Sequence, residues 1–390
     1  MRPLLTLSTA LAAALVLAAC AQSSADVPAD DVATYDPATD SLRFEGEAHL
    51  RNIRQLTFGG NNAEAYWSFD GTQLVFQSDW DAINPQGCDQ IFVMNADGSP
   101  IEASGEATQY VPVSTMRGRT TCSYYLPDGR VVYASTHAAS PACPEAAPFV
   151  GGRYVWPIHD SYDIYITDPT NPDSDPEVLI GGEGYDAEAT VSPDGRYIVY
   201  TTDRTGDLEL WRYDLETGDD LQLTSGLGYD GGAFFSPDGT KLVWRSSRPA
   251  EGEQADTYRE LLAQGLVQPT NMDIYVANAD GSDARQITAL PGAQWAPYFH
   301  PDSERILFAS NHHAQDGGGR EFAIFMIHPD QGEPSMQQIT HSGTFDAFPM
   351  FSPDGTQLVF ASNRRVDREP SRDTNVFVAE WVEAGLDAEM

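Results

Sequence analysis

The chain has 390 residues, with 58 Asp and Glu against 22 Lys and Arg, for a formal net charge of −36 at pH 7. An excess of that size disfavours nucleic acid and anionic membrane surfaces as partners and suits solubility in an exposed compartment. Hydrophobic residues at 41 % suffice for a packed core, 33 Gly and 26 Pro supply many turns, and no long helical period runs through the sequence.

The first element in chain order is a targeting segment. Arg2 gives a positive start, Leu4 to Leu17 is apolar, and Leu17-Ala18-Ala19-Cys20 matches the bacterial lipoprotein cleavage box. Cleavage before Cys20 would leave a thiol to carry lipid, so residues 1–19 read as a lipoprotein signal peptide. Ala21 after the cysteine, rather than Asp, resembles the outer-membrane sorting pattern of Gram-negative lipoproteins. Residues 20–45 are polar and rich in Ala, Ser and Asp, which predicts a disordered tether.

From there one unit returns six times: an apolar strand A, a tight turn, then an apolar strand B ending in Ser or Thr. The turns begin at Phe69, Pro127, Pro193, Pro237, Pro301 and Pro353, most of them reading Pro-Asp-Gly. Pro presets φ at the second turn position and Gly tolerates φ > 0. In the third repeat Ala187 to Ser192 is strand A, Tyr197 to Thr202 strand B, Leu208 to Tyr213 strand C and Gln222 to Thr224 strand D. Strand C recurs at Gln90, Asp163, Asp273 and Asn375. A four-stranded unit with loops of variable length predicts an all-β fold, a six-bladed propeller of antiparallel blades over residues 46–382, with an acidic tail at 383–390. The sixth repeat runs out after strand C, near Trp381. Arg54-Gln55-Leu56-Thr57 carries the strand D signature ahead of the first strand A, so the N-terminal strand is expected to complete the last blade and close the ring.

Three cysteines remain in the mature chain, Cys88, Cys122 and Cys143, and an exported chain permits disulfides. The long loop holding Cys143 can reach back to its own strand A, which favours Cys122–Cys143. Cys88–Cys122 is the other pairing considered. The spacings match no zinc pattern.

The strings SPDGRYIVYTTDRTGDLELW, FFSPDGTKLVWRSSRP and MFSPDGTQLVFASNRR resemble the repeat of the TolB-type propellers, over roughly Leu50 to Trp381. The resemblance implies a six-bladed, periplasmic or secreted protein. TolB itself joins its propeller to an N-terminal α/β domain and works with the Pal lipoprotein in envelope integrity. Only about thirty polar residues lie between Cys20 and the first strand, so that domain is expected to be missing. Prolyl oligopeptidase propellers are similar too, but no G-x-S-x-G elbow of a hydrolase domain occurs.

Repeat position then nominates a site. The residue seven before each turn is Asn62, Thr120, Asp186, Asp230, Gln294 or Asp346. Two residues later come Glu64, Cys122, Glu188, Gly232, Ala296 and Phe348. At the end of strand B sit Trp80, His137, Arg204, Arg248, His312 and Arg364. These form an acid-biased and a cation-biased ring at one mouth. Two readings stand side by side: carboxylates and guanidiniums that neutralise one another and tie blades together, or a charged pocket for a cation, metal ion or polar ligand. Arg245 stands out because the other repeats place Gln77, Ala134, Thr201, Ala309 and Ala361 there. The expectation is that Asp186, Glu188 and Asp230 converge between blades 3 and 4 with Arg245 as their cation, a divalent ion such as Ca²⁺ being the rival. The candidate ligand-binding set is Glu64, Asp186, Glu188, Asp230, Arg245, Arg248, His312 and Asp346.

Long B–C loops in blades 1, 2 and 4 fall on the same mouth, and Asp256 to Gly265 reads as a short helix. His137 and His312 belong to opposite blades and cannot share an ion, and the neighbours His312 and His313 point to opposite faces of a strand. The function expected is an envelope-anchored lipoprotein propeller, on the periplasmic face of the outer membrane, that binds or scaffolds through this mouth without catalysis. Its partner would be an envelope protein or a polar small ligand, and the lipid its only membrane contact. The alternative is a metal-dependent carbohydrate- or peptide-active enzyme with its site in the same place.

Overall fold

The computed structural model describes residues 40–383, apart from 104, 146–148, 172–173, 315–318, 368 and 370. The signal segment, Cys20, the tether up to residue 39 and the tail from residue 384 lie outside the described residues.

Six four-stranded antiparallel sheets make the six blades. Their A strands are Asn62–Trp67, Thr120–Tyr125, Asp186–Val191, Asp230–Phe235, Gln294–Phe299 and Asp346–Phe351. Each pairs with a B strand whose second residue (Leu74, Val132, Ile198, Leu242, Leu307 or Leu358) is buried. In blade 3, B, C and D are Tyr197–Thr202, Glu209–Asp214 and Asp220–Gln222, close to the sequence reading. β-branched and aromatic residues fill these strands because pleated, half-covered surfaces suit them.

The A–B turns show why the repeat reads Ser-Pro-Asp-Gly. In blade 3 the Ser192 hydroxyl donates to Asp194 Oδ1 at 2.6 Å, the Arg196 amide donates to the same oxygen at 3.1 Å, and Gly195 takes φ 74°. Blades 1, 4 and 6 repeat the arrangement at Ser68–Asp70, Ser236–Asp238 and Ser352–Asp354.

The ring closes as the repeat count requires. Leu50–Gln55 is the outer strand of blade 6, paired with Asn375–Trp381, with Arg54 opposite Val378 and Gln55 opposite Phe377. The chain before it is also ordered. Leu42 is buried in the cluster that holds Leu50, Phe360 and Phe377. Glu47 is fully buried and receives Arg364 Nη2 at 3.0 Å and the His341 amide at 3.0 Å. Residues 40–45, expected in the tether, therefore pack on blade 6, where Leu42 joins the apolar cluster and Glu47 shares the buried Arg364 guanidinium with Asp346.

The disulfide expectation needs correction. Cys88 pairs with Cys143, with Cα atoms 6.0 Å apart, and Cys122 is a free thiol. The blade 2 loop touches the entry to its own strand A at Gly118 and then reaches the B–C loop of blade 1, where Cys143 Sγ lies 3.5 Å from Gln86 O. Cys122 faces the axis of the ring, out of that loop's reach.

Blades 2 and 4 send extra elements over one mouth. Trp156–Pro157 pairs with Leu266–Val267, and helix α1, Glu253–Leu262, packs Leu261 with Val155 and Leu266. No described helix is long and apolar enough to cross a membrane.

Candidate functional site

A bulge recurs in every strand A and makes the site. The register with strand B slips after the second residue in all six blades. The residue at the slip takes left-handed backbone: Glu64 (φ 51°), Cys122 (45°), Glu188 (59°), Gly232 (61°), Ala296 (47°) and Phe348 (56°). Five of the six are not glycine, and such geometry costs about 1 kcal/mol or more each, so it persists only where packing over-determines it. A bulge re-aims a side chain, and all six residues line one axial pocket.

The pocket is polar on the side of blades 1 to 4. Glu188 accepts from Thr201 Oγ1 at 2.8 Å, from the Tyr229 hydroxyl at 2.7 Å, from the Gly232 amide at 3.0 Å and from Arg245 Nη2. Arg245 Nη2 also donates to the Tyr229 hydroxyl at 2.8 Å. The guanidinium reaches the axis because strand A of blade 4 carries Gly231-Gly232. A Cβ at Gly232 would overlap Arg245, and one at Gly231 would overlap Glu188 and Tyr229.

Burial works against the charge on Arg245, but Glu188, Tyr229, Cys122 and Glu64 more than offset it and raise its pKa above the ordinary guanidinium value. Burial pushes the Glu64 carboxyl up, opposed by the adjoining Cys122 thiol and by Arg245. Burial first, then Glu64 and Glu188, push the Cys122 thiol well up, so it stays protonated. Two buried polar atoms facing this space have no hydrogen-bond partner, Glu64 Oε2 and Arg245 Nε. The space left is about 20 Å³, room for one water-sized group.

Above the pocket, Trp156 from the blade 2 insertion lies 5.2 Å from the Arg245 guanidinium and 5.2 Å from Trp295, whose indole N–H donates to Pro269 O at 2.9 Å. Ala296 and Phe348 make the opposite wall apolar. Below, Tyr66, Tyr124, Phe234 and Tyr298 fill the axis, with ring centroids 5.2 Å apart for Phe234–Tyr298 and 5.6 Å for Tyr66–Tyr124.

Of the candidate residues, Glu64, Glu188 and Arg245 meet here, and Arg245 pairs with Glu188 as the sequence suggested. Asp186, Asp230 and Asp346 do not. Asp230 is fully buried and accepts from Trp244 Nε1 at 2.8 Å and Arg248 Nη2 at 2.7 Å. Asp186 pairs with Arg204 at 3.5 Å, and Asp346 with Arg364 at 3.2 Å. Arg248 lies over Tyr275, and His312 packs on Phe325 with ring centroids 4.5 Å apart. The bulge explains the difference. It breaks the two-residue alternation, so the first and third residues of strand A do not share a surface, and the first ties strand A to strand B within its own blade.

Sequence reasoning missed Tyr229, and it left Cys122, already placed in the ring at the mouth, and Trp156 of the blade 2 loop out of the ligand-binding set. The adjacent glycines at 231 and 232 were the available signal, since they open the space that Arg245 fills. Among the described residues no group of three or more His, Cys, Asp or Glu is placed to hold a metal ion.

No family model matches the chain and no curated relative does. Solved structures do. A protein assigned as TolB from Agrobacterium tumefaciens superposes with TM-score 0.51 at 17 % identity, over 85 % of this chain and 97 % of that one. A gluconolactonase of Xanthomonas campestris superposes with TM-score 0.52 at 12 % identity, over 86 % of this chain and 91 % of that one. TolB from Acinetobacter baumannii gives TM-score 0.48 at 16 % identity, over 84 % of this chain and 64 % of that one. At these identities the likeness concerns the fold alone: the chain is a six-bladed β-propeller whose fold is similar to that of the TolB structure.

Proposed function

We propose that this protein is an envelope lipoprotein, anchored through Cys20, that binds a partner without catalysis through the capped mouth of its propeller. The observation that supports the reading is the pair of unused polar atoms in the axial pocket, Glu64 Oε2 and Arg245 Nε. A buried group left unpaired costs about 1–3 kcal/mol, which a ligand recovers by supplying the missing bond. A hydroxyl fits this pair, since one water-sized O–H can donate to Glu64 and accept from Arg245. The small space admits only that group, so the rest of the partner would rest on the cap and its loops. A side-chain hydroxyl of an envelope protein, or of a polar small ligand, meets these terms.

Retention of envelope proteins on immobilised protein tests the reading. Glu64→Ala removes a buried carboxylate at the cost of its hydrogen bond with the Cys122 thiol, so it should fold with little change in stability yet lose the proteins the parent retains. Identical retention by both would sink the pocket reading. For the anchor, Cys20→Ser should turn a membrane-bound protein into a soluble one. A variant that still partitions with membranes would overturn the lipidation.

A further inference from the structure

The other end of the axis is a separate site. Below the aromatic plug, the A–B turns of blades 1, 3, 4, 5 and 6 surround a hollow of about 450 Å³, a volume in the range of ligand pockets. Its walls are mostly apolar, formed by Trp67, Phe235, Phe299, Met350 and Phe351 with Phe69 and the prolines of four turns, and Ser68, Ser352 and Asp354 add polar atoms. Turn packs on turn around it. A Cβ on Gly71 would sit 3.5 Å from Pro353, and one on Gly239 would sit 3.9 Å from Pro193.

Each A–B turn also carries an exposed aspartate, Asp70, Asp128, Asp194, Asp238, Asp302 or Asp354, and Asp354 lines the hollow itself. Arg130 and Arg305 cover Asp128 and Asp302. The other four are different. In Asp70, Asp194, Asp238 and Asp354, Oδ1 takes the turn's hydrogen bonds, and Oδ2 takes none from the described residues. The bonds to Oδ1 hold these carboxyls below the ordinary carboxylate range, so the charge persists in mildly acidic medium.

We infer that this end of the axis docks a basic segment of a partner protein that carries one large apolar side chain. That side chain enters the hollow, and flanking Lys or Arg reach the free oxygens of Asp70, Asp194, Asp238 and Asp354. Charge complementarity selects this occupant. A second copy of the chain would bring aspartates against aspartates, and an anionic surface would be repelled. The inference does not rest on the capped mouth, because Tyr66, Tyr124, Phe234 and Tyr298 separate the two sites.

Fluorescence anisotropy with labelled peptides tests it on the unaltered protein. KKFKK should bind about tenfold or more tightly than KKSKK, which lacks the apolar side chain, and than EEFEE, which lacks the cations. Its affinity should fall several-fold as salt rises from about 50 to about 300 mM, since rim charges are exposed and screened. The combined variant Asp70→Asn, Asp194→Asn, Asp238→Asn, Asp354→Asn keeps an oxygen acceptor in each turn, so it should stay folded with an unfolding temperature below the parent's, because the depressed carboxyls no longer contribute, and should weaken KKFKK about tenfold at a temperature where both proteins are fully folded. Equal binding of KKSKK would leave only charge, and equal binding of EEFEE only the hollow. Either result, parental affinity in the Asn variant, or no binding of KKFKK up to about 1 mM overturns the proposal.

Discussion

Replacing Arg245 by Met keeps the unbranched stem and removes the guanidinium with its charge, which tests the ion pair at the centre of the axial pocket. Both partners are buried, with side chains 9 % and 7 % exposed. Breaking a buried pair by removing one member costs about 3–5 kcal/mol, because the other charge stays behind uncompensated. Glu188 would keep three other donors, Thr201, Tyr229 and the Gly232 amide, which places the expected loss at the lower end, about 3 kcal/mol. With unfolding entropy proportional to length, a domain of this size loses about 1.5 °C per kcal/mol, so the unfolding temperature should drop by roughly 4–5 °C. The decisive assay is a double-mutant cycle read by calorimetry. Glu188→Gln in the Arg245→Met background should cost far less than in the parent, with a coupling of about 2 kcal/mol. A chelator should leave the parent's unfolding temperature unchanged. Additive effects, with coupling below about 0.5 kcal/mol, would refute the pairing, and a chelator-sensitive melt would restore a metal ion to the site.

Gly232→Ala separates backbone strain from crowding. Ala296 already occupies the equivalent left-handed position at φ 47°, so the strain alone should cost about 1 kcal/mol. The larger loss expected in the parent comes from contact with Arg245, and should shrink to that strain in an Arg245→Ala background; equal losses in both would show that Arg245 does not fill the space. The C-terminal end should show a pH signature. Hydrogen bonds from Arg305 hold the Glu383 carboxyl down, to about 2. A depressed carboxyl stabilises the fold above its unfolded value near 4.3 and loses that contribution as pH falls towards about 2. The unfolding temperature of Glu383→Gln should therefore lie below the parent's at pH 6 and meet it near pH 2, and parallel curves across that range would refute the linkage.

How much of this was legible in the chain depends on how local each determinant is. The Ser-Pro-Asp-Gly turns are made by residues within five positions of one another, so their recurrence announced six blades before any packing was known. The missing last strand and the Arg54–Thr57 segment likewise identified the closure, since the strand D pattern is written in the segment itself and an open edge demands a partner. Arg245 could be singled out because one blade departs from the residue type of the other five. The tertiary structure decided the rest. Whether Asp186 or Glu188 faces the axis turns on one bulge, and left-handed backbone at Glu, Cys, Ala and Phe has no signature in residue type; it is held by the crowding of six strands around one axis. Cys143 chose Cys88 because its loop crosses to the neighbouring blade, a direction that loop length does not encode. Trp156 came to rest on Arg245 only because strands from blades 2 and 4, more than a hundred residues apart, pair above the mouth. Turn chemistry and strand alternation act over a few residues and can be read from them, whereas the facing of a side chain across blades depends on neighbours that the chain brings together only when the ring closes.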